Sequence, residues 1–169
     1  MALDTSTVAL SVFGSGSSSQ ALATGVAQLN KTYQQILTTG TGANQADRIY
    51  YTQPTIAASG TTTIDLAGSV TDIFGATITF ARVKGMFIAA SSANTNNVVV
   101  GNSATNGFIT WVGAATHTVT VRPGGFLALL APDATAYAVT AGTGDLLLFT
   151  NSGAGTSVTF DAIFIGSSV

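Results

Sequence analysis

The chain has 169 residues, enough for one domain that buries about two thirds of the surface its unfolded form exposes, so a core needs no disulfide or metal. Only 7% of the residues are charged, against about 25% in ordinary globular domains, and the five bases are scattered, which argues against a nucleic-acid surface built on clustered Lys and Arg. The absence of Cys removes disulfides, thiolate zinc sites and thiol catalysis, and no apolar run approaches the roughly 18 residues of a membrane helix.

All seven acids are Asp, and Glu, the usual cover of a solvated helix face, does not occur. Abundant Thr, Val, Ser and Gly instead favour strands and turns, so the expected class is all-β. Low charge carries a second implication. A lone soluble domain normally spreads Lys, Arg, Glu and Asp over its outside. Here that surface is either coated with Thr, Ser and Asn or covered by partner chains.

Along the chain, Val8, Leu10 and Val12 alternate with Thr7, Ala9 and Ser11 as a short strand that ends near Phe13. Residues 14–19, GSGSSS, have the composition of a flexible linker. No base precedes Lys31 and Asp4 stands where a signal peptide would be positive, so no leader is expected. Two readings compete over residues 19–37. Leu22, Val26, Leu29, Tyr33 and Ile36 are spaced four, three, four and three, a helical stripe that Ser19 could cap. Against it stand Gly25 and several Thr, and residues 31–37 also read as a first sandwich strand. We expect a short helix over residues 19–29 and leave the rest open.

The Gly-rich turn at residues 38–44 marks the boundary between an N-terminal arm, residues 1–39, and a β-sandwich domain, residues 40–169. Strand signals then recur at about 8–12 residues, as in sandwiches. They fall at residues 48–52, 61–66, 75–83, 85–90, 97–100, 107–112, 117–121, 126–130, 137–140, 145–150 and 157–165. Turn chemistry separates them at Pro123-Gly124-Gly125, Pro132-Asp133 and Asn151-Ser152-Gly153. The expected architecture is an antiparallel, jelly-roll-like β-sandwich.

Motifs for chemistry are missing. His117, the sole histidine, sits in a Thr/Val alternation expected to be structural, and no Gly-x-Ser-x-Gly elbow, dinucleotide fingerprint or P-loop occurs. Asp65, Asp72, Asp145 and Asp161 could supply a carboxylate pair, but Asp65 and Asp161 read as outward strand residues and Asp133 and Asp145 as turn caps. Trp111, Tyr33, Tyr50, Tyr51 and Phe108 could form a sugar platform, although aromatics in β domains more commonly fill the core. No enzyme activity, cofactor or metal is expected. Candidate interface residues are Val8, Leu10, Val12, Phe13, Leu22, Val26 and Leu29 in the arm and Arg82 and Lys84 in the domain.

Three stretches carry a resemblance: TNNVVVG at residues 95–101, VRPGG at residues 121–125 and APDATAYAVTAGTGDLL at residues 131–147. From Gly40 to the end the chain resembles small virion-associated structural proteins of tailed bacteriophages and prophages, while the first forty residues lie outside the resemblance. It implies no catalytic residue. What it implies is a virion protein, made in the host cytoplasm and placed on the capsid surface as a decoration or cement protein. The expected partners are other copies of the chain, as a homo-oligomer of threefold symmetry, and the major capsid protein, with no nucleic acid or membrane. The alternatives are a tail, baseplate or fibre component and a glycan-binding sandwich for host attachment.

Overall fold

The computed structural model describes residues 3–169. Thirteen strands follow one another: β1 (Thr5–Ser19), β2 (Thr24–Thr39), β3 (Gln45–Ala46), β4 (Arg48–Thr52), β5 (Thr55–Ile56), β6 (Thr61–Asp65), β7 (Arg82–Ala90), β8 (Val98–Gly101), β9 (Thr118–Val121), β10 (Phe126–Leu130), β11 (Tyr137–Ala138), β12 (Leu146–Asn151) and β13 (Val158–Ser167). No helix occurs among the described residues, and the chain is all-β.

Two sheets make the sandwich. One runs β10-β7-β13-β4, with β11 added to β7 and β5 to β13; the other runs β6-β12-β8-β9, and every pairing in both is antiparallel. The pairing is nested: β8 pairs with β9, β7 with β10, β6 with β12 and β4 with β13. Rolling this double ribbon brings β13 beside β7 and β12 beside β8, which completes both sheets.

Period-two alternation sends Met86, Ile88, Phe160, Ala162 and Phe164 inward from the first sheet and Ile64, Val98, Val100, Leu147 and Phe149 inward from the second, all into one buried cluster. Phe149 and Phe160 stack across the layers with centroids 4.7 Å apart. Asn151, 2% exposed, satisfies loop carbonyls at this core's edge by donating to Ala57 O at 3.0 Å and Thr156 O at 2.8 Å. Between β9 and β10, the Gly125 amide closes on the Arg122 carbonyl at 2.8 Å, with Pro123 and then Gly124 at φ +72° between them; this type II turn needs glycine at its third position.

Several sequence expectations change. Residues 19–29 are not helical: Ser19 ends β1, and β2 runs from Thr24 through Thr39 against it, with Ser15 opposite Gln28 and Ser18 opposite Gly25. The same ladder makes residues 14–19 strand instead of linker, because cross-strand hydrogen bonds hold a Gly/Ser backbone that has no side chains to pack. Residues 75–81 keep the expected alternation, with Ile78 and Phe80 buried, yet form no full strand; Ile78 N donates to Val70 O and Phe80 N to Leu66 O inside a loop. Residues 107–112 make a single bridge at Gly107 and a turn closed by Val112 N on Ile109 O. His117 precedes β9, exposed, and only its backbone amide is tied, to Ala114 O.

Candidate protein-protein interface

The first two strands form a hairpin of 15 and 16 residues that stands clear of the sandwich. A strand pair has two faces, and cross-strand register sorts its side chains between them. One face carries Val8 opposite Gln35, Leu10 opposite Tyr33, Val12 opposite Lys31 and Gly14 opposite Leu29; the other carries Ser11 opposite Thr32, Phe13 opposite Asn30 and Ser15 opposite Gln28. The first is therefore an apolar stripe and the second mainly polar. Leu10 is 43% exposed, Val12 45%, Leu29 56% and Tyr33 61%, so the stripe is uncovered. At the tip, Gln20 N bonds Ala23 O and Leu22 projects fully into solvent.

Only the root of the hairpin is packed. Leu37 is fully buried with Ala46 and Ile165, and Leu3, Val8, Ile49 and Phe87 close around them. Thr38 and Thr39 pair in parallel with β3, the Asn44 amide reaches Pro132 O at 2.7 Å, and Gln35 Nε2 donates to Asn44 Oδ1 at 2.9 Å. The arm thus enters the domain through a small core of its own, and Leu37, on the arm side of the sequence boundary, belongs to that core.

Ile165, Ile49 and Phe87 lie on the outer face of the first sheet, and that face is apolar across its width. Register places Ala128, Phe87, Ile163 and Tyr51 in one row and Leu130, Gly85, Ile165 and Ile49 in the next. A third row, Phe126, Ala89 and Asp161, ends where Gln53 Nε2 donates to Asp161 Oδ1 at 2.7 Å. Phe126 is 66% exposed and Tyr51 54%. Between this face and the arm lies a groove of about 560 Å³, walled by Val8, Leu10 and Tyr33 on one side and Phe87, Phe126, Ala128 and Leu130 on the other. The outer face of the second sheet differs. Thr61, Thr63, Thr118, Thr120 and Thr150 dominate it, with Leu146, Leu148 and Val99 half-buried among them.

The arm candidates Val8, Leu10, Val12 and Leu29 therefore share one face, Phe13 and Val26 lie on the other, and Leu22 caps the tip. Arg82 is half-buried at the start of β7, opposite Ala138. Lys84 must be withdrawn as a contact residue: it has no exposed surface, and its ammonium donates to the Gly42 carbonyl in the turn beneath the arm. Burial lowers its pKa, Arg82 adds to the effect, and Asp133 and Asp47 oppose it. Its role is to pin the turn at residues 38–44 to the sheet.

Sequence reasoning missed the apolar sheet face. The signal was FLALL in β10 and DAIFI in β13, where apolar residues continue through positions that an antiparallel strand with one wet face fills with polar ones.

The acids are occupied by local structure. Asp133 Oδ1 accepts from Thr135 and Ala136 amides at 2.8 and 2.9 Å, and these bonds, Ala136 first, lower its pKa. Asp72 Oδ1 accepts from Phe74 and Ala76, and its pKa falls for the same kind of reason, led by Ala76. Asp65 Oδ1 takes the Ala67 amide, and Asp145 Oδ2 takes that of Gly142 while its buried Oδ1 has no hydrogen-bond partner. No group of three or more His, Cys, Asp or Glu placed to hold a metal ion occurs among the described residues. Of the aromatics considered as a platform, Phe108 is buried, Trp111 packs on the core with Nε1 donating to Phe108 O, and Tyr50 stacks on Phe164. Tyr33 and Tyr51 are exposed on different elements, the arm and the sheet face. What the surface offers is an arm with one charged strand residue, Lys31, an apolar sheet face and the groove between them. No protein-family model matches the chain and no curated protein matches it by sequence, so this reading rests on the residues themselves.

Proposed function

We propose that the chain is a structural protein of a bacteriophage virion, a decoration or cement protein that binds the assembled head as a threefold homo-oligomer and stabilises it. The observation that carries the reading is the hairpin arm: 15 and 16 residues of paired strand whose apolar stripe, beyond Val8 at the packed root, lies exposed at Leu10, Val12, Leu29 and Tyr33. A two-stranded ribbon is marginal alone in water, so a chain that keeps one this long is built to meet other chains. Broad uncharged surfaces suit repeated shape-matched contacts, and a protein that binds the assembled shell but not its free subunits stabilises the shell by mass action. The resemblance of residues 40–169 to phage virion proteins supports the setting, and we read the nested strand order as a jelly roll.

Separating heads from tails of the source particle and quantifying the chain by mass spectrometry tests this. Hundreds of copies on heads, in fixed ratio to the major capsid protein, are expected. A few copies confined to tails would overturn the cement reading in favour of a tail, baseplate or fibre component.

A further inference from the structure

We infer that the groove between the arm root and the outer face of the first sheet is the seat for the arm of a second copy of this chain, laid with its apolar stripe against Phe126, Ala128, Leu130 and Phe87. The contact already exists in miniature: at its root each arm rests on this face, with Leu37 and Val8 packed with Ile165, Ile49 and Phe87. Farther out the arm stands away from the sheet, leaving the groove walled by Leu10 and Tyr33 opposite Phe126 and Leu130. Each copy thus offers a groove, walled by Leu10 and Tyr33 of its own arm, and an outer part of the stripe at Val12 and Leu29 that lines no groove and is free to enter that of a second copy.

Charge favours this occupant. No acid or base lines the groove, and residues 5–39 contain a single charged side chain, Lys31. It shares the stripe's face opposite Val12, but it is exposed, its Nζ lies 5.5 Å from the Tyr33 ring centroid, and its long stem lets the ammonium stay at the wet rim of the contact. A charged peptide or a nucleic acid would lose its solvation there without a countercharge. Size permits it. A ribbon of 15 paired residues at about 3.3 Å each, with strands about 4.8 Å apart, offers roughly 500 Å² on a face. One arm laid on one seat would bury at most about 500 Å² per partner, about 1,000 Å² in total, at the lower bound for a specific interface, and in a closed ring each copy makes two such contacts. Because the donated and accepting surfaces differ, the contact is heterologous and closes only by cyclic symmetry.

The docking rests on the proposed self-assembling virion role for its setting, not for its geometry, and the two fail separately. The test is light-scattering mass of the purified full chain across a concentration series, for the wild type, Phe126→Asp in the seat, Val12→Asp in the stripe and Thr63→Asp on the opposite face. All three positions are exposed or nearly half exposed, so the protomer tolerates the change, and circular dichroism verifies it. The wild type is expected to associate, the seat and stripe variants each to weaken association by about tenfold or more, and Thr63→Asp to leave it unchanged. Since the chain has no cysteine, mixing Phe126→Cys chains with Leu29→Cys chains under oxidation is expected to give a disulfide-linked heterodimer. A wild type that stays monomeric, association that Phe126→Asp leaves intact, or failure of the mixed crosslink would overturn the docking. Absence of the chain from purified heads would instead overturn the virion role while leaving the docking in place.

Discussion

Phe13 and Phe149 both lie in antiparallel strands, yet Phe13 is 68% exposed and Phe149 is fully buried. Both strands are paired and both alternate, so neither pairing nor pattern makes the difference. The sandwich strand has a second layer opposite it, since Phe149 meets Phe160 from the other sheet; the arm strands have none. Pairing satisfies the backbone, but only a second layer removes apolar side chains from water. In the sandwich that layer comes from the same chain. For the arm, the docking proposed above would supply it from a second copy.

The contrast can be pressed by substitution. Phe149→Ala empties a site between the sheets and is expected to cost about 3–5 kcal/mol in urea unfolding, whereas Phe13→Ala is expected to change protomer stability by no more than about 0.5 kcal/mol. A large loss from Phe13→Ala in a monomeric sample would mean the arm is packed within its own chain. Glycines sharpen the same contrast. At the register shift between β13 and β7, a Cβ on Gly166 would lie 2.1 Å from the Arg82 carbonyl oxygen, while nothing lies within 4 Å of the corresponding point on Gly16 in the arm. Gly166→Ala is expected to lose about 1–3 kcal/mol, and Gly16→Ala to leave the melting temperature where it was.

The smallest effect is electrostatic. Asp133 has its folded pKa held below the ordinary 3.8 by the Ala136 and Thr135 amides, so its contribution is present above that value and is lost as pH falls through the folded pKa. Residues 5–39 contain no acid, so this loss falls on the sandwich alone. The melting temperature is expected to drop below pH 3.8, and less steeply in Asp133→Asn; identical acid profiles would remove the turn from the account.

Much of the sandwich was legible because its strands declare themselves locally. Residues 48–52 and 126–130 form strands with the expected bounds, and the Asp133 turn follows from side-chain chemistry within three residues. The arm was misread because Leu22, Val26, Leu29, Tyr33 and Ile36 fit a helical stripe, and nothing local shows that residues 24–39 pair with a Gly/Ser segment earlier in the chain. In the strand that stripe splits, with Leu29 and Tyr33 on one face and Val26 and Ile36 on the other. Lys84 illustrates a second limit. A lysine in a strand reads as a surface residue until the fold brings the Gly42 carbonyl over it. The apolar sheet face left a local trace in FLALL and DAIFI, but its extent depended on register among four strands far apart in sequence.

Hydrogen exchange, followed by mass spectrometry at rising protein concentration, tests most directly whether the arm is covered by another copy. The account predicts that peptides from residues 7–34 and from β10 gain protection together as concentration rises, while core peptides from β13 and β12 stay constant. Arm amides that exchange at the same fast rate at every concentration would contradict it.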